Sequence, residues 1–393
     1  MDAAGSLLMF VAAGVFLILA VHPFVTYPLS LRGIRLVKPA PVQKSSAETA
    51  PLPLTYALCV CAYNEAGVIR TKVENMLELR RRLGQLQILV YVDGSTDGTA
   101  EILQSYANRI DLIVSPQRRG KIYGLNRLTA LAHADILVLT DANVHVEPGA
   151  LVSMTRYFQD PTVGCVCGSL TYVNAETATA ATGSAYWRLE EHIKQLESDT
   201  GSVIGADGSL YGIRRHLYRP IPRGVADDMH LSLRILCEGY RIVRAPDVRA
   251  FERSVPDSSE EYARKIRIAC QAFVSHQMLW PRLRRLNALT VYKYVSHKLM
   301  RWFTIVFLAL ATSFAFAGLV LTAGMPLALG LATAGVGLLV VEPYIRLRPL
   351  TFLAEALRSF AATAIGVWRA LKGEKLRIWT PAASIRDAGT PPA

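Results

Sequence analysis

Two long runs without one Asp, Glu, Lys or Arg limit what this chain can become. They cover residues 3–31 and 303–341. A helix rises ~1.5 Å per residue, so about 20 apolar residues cross the hydrocarbon of a bilayer. The first run therefore holds one span and the second holds two, with Gly324, Met325 and Pro326 supplying the turn. Only Asp2 precedes the first run, and no small-residue cleavage site follows it, so it reads as an anchor and not a signal peptide. Arg32, Arg35 and Lys38 follow the first span; Arg282, Arg284, Arg285 and Arg301 precede the second; Arg346 and Arg348 follow the third. The positive-inside rule puts these clusters, and the large region between them, in the cytoplasm of a multi-pass plasma-membrane protein. The net charge of +12 gathers near these edges, which suits anionic head groups, and no nucleic-acid motif accompanies it. Segment 349–371 is long enough to span but contains Glu355 and Arg358 and has basic residues on both sides. It is expected to lie in the interface or on the hairpin, leaving the C-terminus cytoplasmic.

Residues 32–54, with Pro39, Pro41, Pro51 and Pro53, read as a linker. Beyond it, apolar β-branched runs at 56–62, 87–92, 111–115 and 136–140 alternate with helical patterns that end near Leu83, Ala107 and His133. That alternation predicts an α/β fold, a mostly parallel sheet with helices on both faces. Cys59 and Cys61, and again Cys165 and Cys167, alternate along strands without a CxxC or clustered histidines, so they read as core and not zinc ligands.

In open α/β sheets ligands bind at the carboxyl ends of the strands, and three such ends carry polar chemistry. Asp93, Gly94 and Ser95 offer a carboxylate for a nucleobase or ribose and a glycine for close approach, with Thr96 as N-cap of the next helix. Lys121 brings an ammonium to the place of a diphosphate. Asp141 and Asn143 end the run 136–140 with two oxygen ligands for a hard cation, which shares its shell with substrate phosphate.

Together, Tyr63-Asn64-Glu65, the stretch from Val92 to Thr99, Gly120-Lys121 and the stretch from Thr140 to Asn143 resemble the nucleotide-binding half of family 2 inverting glycosyltransferases. These are nucleotide-diphospho-sugar enzymes with the GT-A fold. The similarity continues through 205–215. Ala226, Asp227 and Asp228 stand where the family has Thr-Glu-Asp, and Arg264 to Arg267 where membrane-bound members carry an Arg before Trp. It covers about residues 55–302 and suits membrane-bound polysaccharide synthases.

The resemblance implies Glu65, Asp93, Gly94, Ser95, Lys121, Asp141, Arg264 and Arg267 on the donor, and Asp141 with Asn143 on Mg2+ or Mn2+. It implies Asp207, Gly208 and Trp187 on the acceptor side, and Asp228 as the base. Asp228 opens a helical pattern whose dipole lowers its pKa, so its basicity has to come from position and partial burial. Arg264, Arg267 and Gln271 share one helix face. Tyr186, Trp187 and His192 are candidates for stacking on a sugar, and His145 for touching metal or phosphate. Two departures stand out: Asp-Ala-Asn in place of Asp-x-Asp, and Ile268 in place of the Trp that lies at the acceptor end of processive relatives.

The expected layout is an anchor at 1–31, a linker at 32–54, a cytosolic GT-A domain at 55–280, an interfacial region at 281–302, a hairpin at 303–345, and an interfacial segment with tail at 346–393. The expected activity is inverting transfer from a UDP-sugar to a lipid-linked or polysaccharide acceptor in cell-surface glycan synthesis, with polysaccharide-export or synthase proteins as partners. The alternatives are a processive synthase and, in a different class, a catalytically weak sugar-nucleotide-binding subunit.

Overall fold

The computed structural model describes residues 3–37, 54–173, 178–255, 257–345 and 347–376. Most of the linker, and Lys38 and Arg346, lie outside the described residues. Helices α1 (Ala3–Val21) and α2 (Thr26–Val37) come first. Then β1 (Tyr56–Ala62), α3 (Ala66–Leu83), β2 (Leu86–Asp93), α4 (Thr99–Gln104), β3 (Asp111–Ser115), α5 (Lys121–Leu131) and β4 (Ile136–Thr140) follow in alternation. The next elements are β5 (His145–Val146), α6 (Ala150–Phe158), β6 (Val163–Tyr172), α7 (Ala178–Asp199), β7 (Leu210–Arg214), α8 (Asp227–Cys237), β8 (Arg241–Glu252) and α9 (Ser258–Leu283).

These strands make one eight-stranded sheet in the order β3-β2-β1-β4-β7-β6-β8-β5. Strands β3, β2, β1 and β4 run parallel, whereas β7 runs antiparallel to both β4 and β6. Successive side chains on a strand face opposite ways, and here both faces are covered. Leu58 and Val60 pack with Ile69, Val73 and Met76 of α3, while Cys59 and Cys61 pack with Leu125 and Leu128 of α5 and Leu231 of α8. The cysteines are free and belong to the core, as their spacing predicts.

The reversal at β7 matters most for function. Thr140 pairs with Leu210, so the residues entering β7 arrive at the edge that β1, β2, β3 and β4 leave. Thr140 Oγ1 donates to the Ser209 carbonyl at 2.6 Å and fastens the two ends together.

Past α9 come α10 (Ala288–Tyr294), a π-helical turn (Val295–Leu299), α11 (Met300–Trp302), α12 (Thr304–Ala323), α13 (Met325–Ile345) and α14 (Arg348–Leu371). Region 281–302 holds the end of α9, a short turn and the contiguous helical run of α10, the π turn and α11, and Lys293 and His297 are buried. Among the described residues four helices are long and apolar enough to cross a membrane: α1, α12, α13 up to Glu342, and α14, the segment whose span length the sequence shows. Helix α1 lies along α12, with Phe16 stacked on Phe314 and Phe10 over Gly318, where a small residue lets the helices approach. Gly324 at positive φ ends α12 and makes the expected turn. Helix α14 packs along α9, tied by Lys265 Nζ to Ser359 Oγ at 2.6 Å.

Candidate active site

Asp93 is fully buried, and both its oxygens accept from the following loop: Arg119 N–H at 2.7 Å and Gly120 N–H at 2.9 Å. Its carboxylate thus shapes the loop that delivers Lys121. Gly94 has φ +64°, and a Cβ there would stand 2.7 Å from Arg118 N, so the close approach that needs glycine is the chain's own. Ser95 Oγ accepts from Asn64 N–H at 3.0 Å, and Asn64 Oδ1 accepts from Thr96 N–H at 2.9 Å. Helix α4 starts at Thr99 and not after Thr96. Gly98, at positive φ, is the N-cap residue, and Asp97 before it accepts from Thr99 N–H at 3.1 Å. Glu65 is buried and precedes α3, and its N–H donates to Thr99 Oγ1 at 2.9 Å. Arg118 lies over the Tyr63 ring, 3.6 Å from its centroid.

Lys121 Nζ stands 2.9 Å from Asp141 Oδ1 and 3.2 Å from Asp227 Oδ2. Burial alone would depress this ammonium, yet Asp141 and Asp227 hold it above the usual lysine range. A Cβ built on Gly208 would lie 3.3 Å from Asp228 Oδ2, 3.7 Å from Lys121 Nζ and 3.8 Å from Asp141 Oδ2. Asp228, Lys121 and Asp141 thus converge on the gap beside Gly208.

Asp228 Oδ1 accepts from Met229 N–H at 2.6 Å in the first turn of α8. Burial, and next the Asp227 carboxylate, push its carboxyl up to about 7, against the pull of Lys121 and of that hydrogen bond. Burial therefore outweighs the stabilisation from the helix N-terminus, which puts the group near the pKa a general base needs.

Asn143 is buried, and its Nδ2 donates to Glu252 Oε1 at 2.8 Å. Among the described residues no group of three or more His, Cys, Asp or Glu is arranged to hold a metal ion. Asp141, with its side chain 39% exposed, still fits an ion that arrives with a diphosphate and keeps much of its water. A closed protein cage does not fit. Behind this loop, Lys72 of α3 is buried and donates to the Val144 carbonyl at 2.6 Å and Thr140 Oγ1 at 3.3 Å. Burial pushes it down to about 7, opposed by Asp141 and Glu252. Lys72 did not figure in the sequence reading, where the Lys at i+7 of Glu65 was the available signal; Asp227 figured there only as part of the motif with Asp228, without a partner in Lys121.

On α9, Arg264 pairs with Glu261 at 3.2 Å. Arg267 sits in the field of Asp141, Asp227 and Asp228, which oppose the lowering caused by burial and then by Arg264. Gln271 donates to the Leu376 carbonyl at 2.8 Å and accepts from Ala226 N–H at 3.2 Å, just before the Asp pair.

The stacking candidates each have polar neighbours. Trp187 donates to the Leu170 carbonyl at 2.9 Å and carries Lys194 Nζ over its ring at 4.4 Å. Tyr186 accepts from Arg301 at 2.9 Å, and His192 meets Arg32 at 3.0 Å. Asp207 accepts from Lys194 at 2.7 Å, and its other oxygen holds Ser209. His145 lies in β5, paired with Phe251 of β8.

Residues 57–221 match the model described as Glycosyl transferase family 2. An N-acetylglucosaminyltransferase of Rhizobium leguminosarum bv. viciae is 25% identical over 236 residues, 56% of this chain and 55% of that protein. One from Rhizobium meliloti (strain 1021) is 24% identical over 304 residues, 72% of this chain and 70% of that protein. The chain thus spans only about half the length of the first of these curated relatives. A mannosyltransferase of Pyrobaculum calidifontis, solved with GDP-Man and Mn2+, superposes with a TM-score of 0.69 at 24% identity, over 93% of this chain and 99% of that one.

Proposed function

Residues 57–221 form a family 2 glycosyltransferase domain on a GT-A-like sheet, and from that premise we propose a membrane-anchored inverting enzyme that moves a sugar from a UDP-sugar to a lipid-linked or glycan acceptor. The observation that carries this reading is the gap at Gly208, with a raised carboxyl and an ammonium on its walls. In it Asp228 takes the proton of the acceptor hydroxyl. That oxygen bonds to the anomeric carbon, and the bond from carbon to the diphosphate oxygen breaks. UDP leaves with the electron pair. Lys121 and Arg267 bring positive charge to the departing diphosphate. Asp141 is the residue that would hold Mg2+ or Mn2+, whose charge also serves the diphosphate.

The setting that fits is the cytosolic face of the plasma membrane, in cell-surface glycan synthesis. The test incubates membranes containing the full chain with radiolabelled UDP-sugars, beginning with UDP-GlcNAc because both relatives are named for that sugar. Labelled product from wild type and none from Asp228→Asn is expected. Asn143, engaged with Glu252 instead of a metal, favours one rival: a donor-binding subunit, which would bind a UDP-sugar but release no UDP. That result would overturn the proposal.

A further inference from the structure

His297 lies in the π-helical turn, completely buried, with Nδ1 2.7 Å from Glu197 Oε1 and Nε2 2.9 Å from Glu190 Oε1. Single π turns are rare and gather at functional sites. Although burial opposes ionisation, Arg301 and His297 hold Glu190 well below the usual carboxylate range, and His297 and Lys293 hold Glu197 below it. Each ring nitrogen meets one carboxylate, so the ring bridges two helical positions seven residues apart on α7. Arg301 pairs with the second Glu190 oxygen, Lys298 lies 3.4 Å from the first, and Tyr27 of α2 donates to Glu197 at 2.6 Å.

What the cluster grips is the segment leading to Gly208. Glu197 Oε2 accepts from Ile204 N–H at 2.9 Å. Lys293 donates to the carbonyls of Glu197 at 2.8 Å and Ser202 at 3.3 Å. Lys298 Cε would be 3.8 Å from a Cβ on Gly205. Ala206 N–H then donates to Ser232 Oγ of α8 at 2.9 Å, and Lys194 holds Asp207. The segment is therefore fixed from both sides, by the helices that lead into α12 and by the helix that carries Asp228.

We propose that the Glu190–His297–Glu197 bridge sets the position of residues 202–208 and hence the acceptor's seat against Asp228, with His297 a positioning residue. The helices next to the membrane-spanning candidates then position the acceptor segment and do not only tether the domain. This rests on the reading of residues 205–208 as the acceptor side.

The test uses the full chain in phosphatidylglycerol nanodiscs. His297→Gln keeps a donor for one carboxylate and loses the other. Amide exchange at Ile204 and Ala206 should quicken at least tenfold while β1, β2 and β4 keep their protection. With UDP-GlcNAc, acceptor-free UDP release should stay within about twofold. Stimulation by undecaprenyl phosphate or diacylglycerol in the disc should fall about tenfold, through KM for the acceptor. Tyr27→Phe removes one hydrogen bond and should shift the same readouts less; it carries the test if His297→Gln does not fold. Unchanged exchange at 202–208, or donor and acceptor parameters falling in parallel, would overturn the proposal. Wild type that never releases UDP would instead overturn the glycosyl-transfer reading and leave the exchange result to judge the bridge.

Discussion

At Asp228 the chemistry and the stability of the chain pull in opposite directions. A carboxyl raised to about 7 is neutral below that pH and cannot take a proton, so transfer should rise with pH through a midpoint near 7. Lys121 lowers that midpoint, and Lys121→Gln should move it upward in a pH–rate profile, alongside weaker donor binding. Asp228→Asn should cost on the order of 10²–10⁴ in transfer while leaving donor binding nearly intact, which calorimetry with UDP checks. The linkage has a definite sign. The folded value lies above the unfolded value of about 4, so the group's contribution is full below pH 4 and is lost as pH rises through 7. The Asn variant should therefore gain in melting temperature over wild type at pH 8 and gain little at pH 5. Equal gains at both would remove burial of the carboxylate as the cause.

Among elements, the loops at the sheet edge depend on one another more than on any ligand. Gly94→Ala puts a methyl against the Arg118 backbone at positive φ, costing on the order of 1 kcal/mol from conformation alone. It should displace the loop before Lys121 and weaken UDP binding in the same assay. Asn143→Asp restores the family's Asp-x-Asp but sets a carboxylate where Nδ2 now donates to Glu252. It should lower the melting temperature by a few °C and leave the Mn2+ concentration for half-maximal activity no lower. A tighter Mn2+ requirement would show that Asn143 turns toward the ion. These cases also mark how far the sequence could be read. Strands β1, β3 and β4 fall on the predicted residues because local apolar periodicity defines them. The destination of Asn143 was hidden because its partner is 109 residues away in the chain. Lys194 over the Trp187 ring follows the i, i+7 spacing within α7, a local signal that the sequence reading did not use. The Asp228 region was legible as a helix start, yet the size of its shift depends on burial, which only the packed fold supplies.

For the molecule as a whole, α14 decides which side the C-terminus occupies. It has span length, but it runs against α9, which carries Arg264 and Arg267, and Arg358 pairs with Glu355 at 2.7 Å within it. A helix held along the catalytic domain should lie in the membrane surface, so a C-terminal reporter should be active in the cytoplasm. Activity confined to the other side would contradict this. Ile268 on the exposed flank of α9 supplies no aromatic platform for a growing polymer, and one or a few sugars per binding event is the expected product, read by mass spectrometry. Long polymer from the purified chain alone would refute it. The reversal of direction between β4 and β7 has a further consequence, for protein engineering. The parallel strands and the loops before Asp141 come from one unbroken run of residues, whereas Glu190, Gly208, Asp228, Arg267 and His297 lie on separate segments further along the chain. Nucleotide preference can therefore be transplanted as a single cassette ending at β4. Acceptor preference has no such cassette, and changing it means redesigning contacts scattered over more than a hundred residues.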